Sequence, residues 1–124
     1  MLSSVLCFRA ATLIGTLGMI WGLAMAISGN HTTFSAHAHL NLLGWVSLFL
    51  IGLFYRLHPA LDAAGKAKGQ ALIWIASTLI MAAGVALIYG GNPALGEPLA
   101  GIGGIGMLLA MLFFVWIVWR QKAA

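Results

Sequence analysis

Residues 36–45, with the sequence AHAHLNLLGW, place two histidines near the start of an otherwise apolar segment. The segment is long enough to span the hydrocarbon core of a bilayer, which takes about 20 residues of α-helix. An ionisable side chain in such a segment is costly and marks a functional site by default. His37 and His39 are therefore the first candidate site residues.

Helix geometry limits what these two histidines can do together. Successive residues turn by about 100°, so positions i and i+2 lie roughly 200° apart around the axis. His37 and His39 then point to opposite sides of one helix and do not easily hold a single ion. We expect them to serve two different pockets, or one to bind while the other packs against a neighbouring helix.

The composition is that of an integral membrane protein. Of the 124 residues, 62% are hydrophobic and only 6% are charged, whereas a soluble domain carries roughly 25% charged residues. The six basic residues are scattered at segment ends and form no patch for nucleic acid. The single cysteine, Cys7, excludes an intrachain disulfide.

Four apolar segments predict an all-α membrane protein, a bundle of four transmembrane helices in one domain that covers residues 1–124. The predicted spans are residues 10–27, 34–55, 71–89 and 99–119. We interpret the first as a transmembrane helix rather than a cleaved signal peptide, because its apolar run is long for such a peptide.

The basic residues predict the orientation of this bundle. With four passes they all fall on one side: Arg9, Arg56, Lys66, Lys68, Arg120 and Lys122. The positive-inside rule then places both termini on the cytoplasmic side of the inner membrane. His37 and His39 are expected near the outer surface, on a helix that runs inward.

Local signals add three structural expectations. Tyr55, at the end of its segment, is interpreted as a residue of the aromatic belt. Gly65 and Gly69 are assigned to a polar connector between the second and third spans. Gly18 and Gly22 form a small-xxx-small pair, which predicts close packing of the first helix.

The chemistry of imidazole narrows the ligand. Neutral imidazole binds copper, zinc and haem iron. Copper or zinc would need three or four ligands, and the remaining histidines, His31 and His58, lie at opposite membrane faces. Haem needs only one or two axial ligands, so haem b is preferred to copper. In the alternative without a ligand, both rings hydrogen-bond neighbouring helices.

Other side chains near the pair are weaker candidates. Asn41 follows His37 by one turn on the same face and either bonds an imidazole or contacts another helix. His31 either meets a haem propionate on the outer side or is a plain loop residue. Met25 and Met107 are predicted to pack rather than to bind.

The run Thr33–His39, followed by Gly44, Phe54 and Tyr55, and Pro59, resembles one helix of the catalytic subunit of the haem-copper oxidase superfamily. That superfamily includes the oxygen reductases and the nitric oxide reductases. Its matching helix carries a His-x-His pair. In that family the first histidine of the pair binds the high-spin haem and the second binds the low-spin haem. The resemblance implies that His37 is the high-spin ligand and His39 the low-spin ligand.

The chain also departs from that family. The family's subunit has three pseudo-repeats of four helices, and this chain is similar to one of them. Its third span has no His-His pair for a copper site, so the resemblance does not extend to oxygen reduction. We expect a protein that is not an oxygen-reducing enzyme.

Three copies in place of the three repeats would form a homotrimer. His37 of one chain would then face His39 of the next across an interfacial haem. A bis-His haem has no open position, which implies electron transfer with a redox partner that the sequence does not name. The alternatives are a haem-based gas sensor and a non-haem accessory subunit of a larger membrane complex.

Overall fold

The computed structural model describes residues 1–121, and every regular element in that part of the chain is a helix. The helices are α1 (Ser3–Ser28), α2 (Phe34–Arg56), the single turn α3 (Pro59–Asp62), α4 (Gly65–Tyr89) and α5 (Pro93–Trp119). Four of them are long and apolar enough to cross a membrane. The prediction of an all-α membrane protein with four spanning helices is therefore confirmed. Lys122 lies outside the described residues.

The connector between α2 and α4 is shorter than expected. Gly65 and Gly69 lie inside α4, so their assignment to a polar connector was wrong. A Cβ at either glycine would meet open space, so no close approach requires glycine there. The helix begins before the apolar run, and its first two turns are polar. What remains of the connector is organised by α3, which begins with Pro59 at its first position.

The spanning helices pack as antiparallel neighbours, and α4 and α5 make the closest pair. A Cβ on Gly84 would overlap the backbone of Ala100, and a Cβ on Gly96 would lie 2.6 Å from the Gly84 oxygen. Inside a bilayer, where apolar side chains gain nothing by leaving lipid, such close backbone approach supplies the packing energy. The α4–α5 pair therefore forms a tight hairpin on which α2 rests.

A buried carboxylate fixes the beginning of α1. Asp62, at the end of α3, accepts hydrogen bonds from the backbone N–H and the hydroxyl of Ser4, both at 2.6 Å. The Ser3 hydroxyl donates to the Asp62 carbonyl oxygen at 3.0 Å. A carboxylate here satisfies an N–H that the helix leaves unpaired and complements the positive end of the helix dipole. The first helix is thereby anchored to the α2–α4 connector.

Tyr55 belongs to the core of this end of the bundle, and its assignment to the aromatic belt was wrong. The side chain is fully buried. Its hydroxyl donates to Gln70 Oε1 at 2.7 Å, and Gln70 Nε2 donates to the Ala110 carbonyl oxygen at 3.2 Å. A buried tyrosine hydroxyl needs a partner, and here the partner comes from α4. This chain of bonds joins α2, α4 and α5.

The middle of α2 is not a regular α-helix. Residues Leu40–Ser47 form a π-helical segment that begins directly after His39. The indole N–H of Trp74, on α4, donates to the Leu43 carbonyl oxygen at 2.9 Å within that segment. π-Helical turns are rare and are frequent at functional sites. The segment thus marks the region that follows the two histidines.

Candidate functional site

His37 and His39 both belong to the first, regular turns of α2, and both are half-buried. Their rings meet different neighbours. The His37 ring lies against α1, where a Cβ on Gly22 would come within 2.8 Å of its Cε1. His39 borders a groove next to α4, together with Met81. The two side chains therefore lie in two separate environments.

A row of glycines on α1 receives the His37 side of α2. Gly15, Gly18 and Gly22 face Trp45, Asn41 and His37 respectively, with hypothetical Cβ distances of 2.7, 2.5 and 2.8 Å. Any larger residue in this row would displace one of the three side chains. The close packing predicted from Gly18 and Gly22 thus serves to seat polar side chains between two helices.

Asn41 determines the tautomer of the neutral His37 ring. Its amide Nδ2 lies 2.8 Å from the His37 carbonyl oxygen and 3.2 Å from His37 Nδ1. A carbonyl oxygen only accepts, so the amide group that faces it must be the NH2 donor. The same NH2 then donates to Nδ1, and in the neutral ring the proton sits on Nε2. His37 therefore presents a hydrogen-bond donor at Nε2, and its lone pair is at Nδ1, where it accepts from Asn41.

His39 has the opposite arrangement. Its Nδ1 lies 2.7 Å from the Ser35 carbonyl oxygen, one turn earlier in α2. Because the oxygen has no proton to give, Nδ1–H is the donor, and Nε2 of the neutral ring keeps its lone pair. Histidines that bind a metal almost always donate their other ring N–H to a carbonyl or a carboxylate, which fixes the tautomer and the ring orientation. His39 is held in the state that a ligand requires.

The groove beside His39 is apolar and measures about 390 Å³. It is lined by Ala38, His39, Leu42, Leu43 and Met81. Only the imidazole contributes a charged or strongly polar group to this lining. The groove thus combines one imidazole with otherwise lipid-like walls.

Met81 is a site residue that the sequence did not single out. Its thioether belongs to α4, far from the histidines in the chain, and α4 carries no other signal at that depth. By contrast, Met25 and Met107, the two methionines weighed beforehand, are both buried, as predicted for packing residues. Only the packing of α4 against α2 identifies Met81.

The remaining candidates lie elsewhere. His31 is exposed in the loop before α2, with Nδ1 3.2 Å from the Gly29 carbonyl oxygen. His58 follows α2 at the other membrane face and stacks on Phe54 with ring centroids 4.4 Å apart. Among residues 1–121, no three His, Cys, Asp or Glu side chains converge as a metal site. In the part of the chain that the structure describes, no group of three such side chains of the kind that copper or zinc needs is therefore brought together.

No protein-family model, curated protein or solved structure matches the chain. The resemblance to the haem-copper oxidase helix therefore remains a hypothesis drawn from the residues themselves.

Proposed function

We propose that the protein binds haem b through Nε2 of His39 and transfers electrons within the membrane. One observation carries this proposal: the Nδ1–H of His39 is committed to the Ser35 carbonyl oxygen, 2.7 Å away. Because of that bond, Nε2 keeps a lone pair that can bind a metal. The ring lies in a mostly apolar helix, where an ionisable side chain marks a functional site.

The chain's own residues would act as follows. His39 would hold the iron, and the Ser35 carbonyl would keep the ring oriented and in one tautomer. Leu42, Leu43 and Met81 would cover the macrocycle and keep water away from it. When bound, haem b supplies one-electron chemistry at its iron.

A second axial ligand would make the iron six-coordinate. In a ring of three chains it would be His37 of a neighbouring copy, as the resemblance suggests. That role requires the His37 ring to give up its bond to Asn41, so that Nε2 becomes free of its proton. Met81, which borders the same groove as His39, is the candidate within one chain, because a thioether is an accepted axial ligand.

The test is a pyridine haemochrome assay on protein expressed with added haem, combined with the intact mass of the oligomer. We expect a b-type spectrum and, in the proposed ring, three chains per particle. A purified protein without b-type bands after haem-replete expression would overturn the proposal. A dimer or a monomer with bound haem would overturn only the ring of three.

A second function follows from the state of His37. If its Nε2 keeps the proton and Met81 does not bind, the iron has one protein ligand and an open position, as in a gas sensor. Carbon monoxide separates the two functions. A six-coordinate haem is expected to leave the reduced spectrum unchanged when carbon monoxide is added, whereas a five-coordinate haem is expected to show a shifted Soret band.

A further inference from the structure

Two cations from different helices converge on one indole at the end of α5. The Lys66 ammonium lies 5.5 Å from the centre of the Trp116 ring, and the Arg120 guanidinium lies 5.2 Å from it. Lys66 belongs to the first turn of α4, and Arg120 directly follows α5. The two distances limit the separation of the charges to 10.7 Å, the sum of 5.5 and 5.2 Å.

Two cations on one indole give this end of the bundle a local excess of positive charge. Neither acidic side chain of the sequence neutralises it. The Asp62 carboxylate is buried and both of its oxygens accept from Ser4. Glu97 lies near the other end of α5, 23 residues before Arg120, which is roughly 34 Å along the helix at 1.5 Å per residue. The pair of cations therefore favours an external anion.

The surface next to this pair, along α5, is apolar and exposed. Leu112 and Leu109 precede Trp116 by about one and two turns on the same face of α5, and they are 56% and 58% exposed. Trp116 itself is 44% exposed. Tryptophan at such a boundary typically sits at headgroup level. An anion that binds here would lie at the end of a continuous apolar surface on which a hydrocarbon chain could pack.

We propose that Lys66, Trp116 and Arg120 form a binding site for the phosphate of an anionic phospholipid, whose acyl chains lie along Leu109 and Leu112. The cations supply the charge complement, and the indole holds them in place through cation–π contacts. One cation belongs to α4 and the other directly follows α5, so a bound lipid would also hold these two helices together at this end.

The full chain in neutral detergent can be titrated with phosphatidylglycerol or with phosphatidylcholine, and the bound lipids counted by native mass spectrometry. We expect tighter binding of phosphatidylglycerol. The double substitution Lys66→Gln and Arg120→Gln should weaken that binding roughly thirtyfold, at about 1 kcal/mol per cation. The matched control, Arg56→Gln with Lys68→Gln, removes the same net charge from exposed positions and should change the affinity less than about twofold.

Three outcomes would overturn this site. One is equal affinity of the native chain for the two lipids. Another is an equal loss in both double variants, which would indicate a diffuse effect of net charge. The third is displacement of phosphatidylglycerol by inorganic phosphate at the same concentration at which the lipid saturates the site. That result would indicate a site for a soluble anion instead. All the substituted side chains are exposed, and circular dichroism confirms that each variant keeps its helices.

Discussion

The His37 side of α2 and the His39 side differ in what they offer a ligand. On the first side, three glycines of α1 admit three side chains of α2, and the His37 ring lies against Gly22 and bonds to Asn41. On the second side, His39 borders an open apolar groove and has only the Ser35 carbonyl as a partner. Two histidines of one short motif therefore have opposite tautomers and different surroundings.

A His-x-His spacing alone therefore does not give both histidines the same role. Each ring is controlled by the atom that its Nδ1 meets. A carbonyl oxygen accepts from Nδ1 and leaves Nε2 free, whereas an amide NH2 donates to Nδ1 and moves the proton to Nε2. Ligand capacity follows from that partner, which is why we assign the iron to His39 first.

The different roles of His37 and His39 can be tested by removing each ring in turn. We expect His39→Ala to abolish the b-type spectrum of haem-replete protein, because no other nitrogen borders the groove. His37→Ala should retain haem in the chain itself, and His58→Ala serves as the matched control, since its Nδ1 also meets a backbone carbonyl, at 2.7 Å. Loss of haem in His37→Ala and retention in His39→Ala would reverse our assignment.

A smaller effect is expected from filling the glycine row. Gly22→Val would push against the His37 ring and should lower the free energy of unfolding by about 1–3 kcal/mol, the usual cost of overpacking. The control is Gly104→Val on α5, where nothing lies within 4 Å of the added Cβ. Unfolding in mixed micelles, followed by circular dichroism, measures both. Equal stability of the two variants would mean that the His37 side is not closely packed.

The last substitution concerns the amide that sets the His37 tautomer. Asn41→Leu removes its hydrogen bonds to His37 Nδ1 and to the His37 carbonyl oxygen, and should cost about 0.5–1.5 kcal/mol for each. Its diagnostic consequence is spectroscopic. Nitrogen-15 NMR of the native chain without ligand should report the Nε2–H tautomer for His37 and the Nδ1–H tautomer for His39. In Asn41→Leu only the His37 signals should change. The same tautomer for both rings in the native chain would remove the contrast.

Much of the fold follows from the sequence alone. Four apolar runs must become helices in a bilayer, because only helices and closed barrels satisfy every backbone hydrogen bond without water. The opposed directions of His37 and His39 follow from the helical repeat in the same way. These properties are local, since each depends on a single segment and its surroundings in the membrane.

Contacts between segments were decided only by the tertiary structure. Tyr55 is indistinguishable from a belt residue until Gln70 is found beside it, and Met81 carries no signal until α4 packs against α2. That Asn41 both bonds to the His37 imidazole and packs against Gly18 of α1 also required coordinates. Local sequence cannot specify which donor meets which acceptor across a helix interface, because that choice depends on the rotation and depth of both helices.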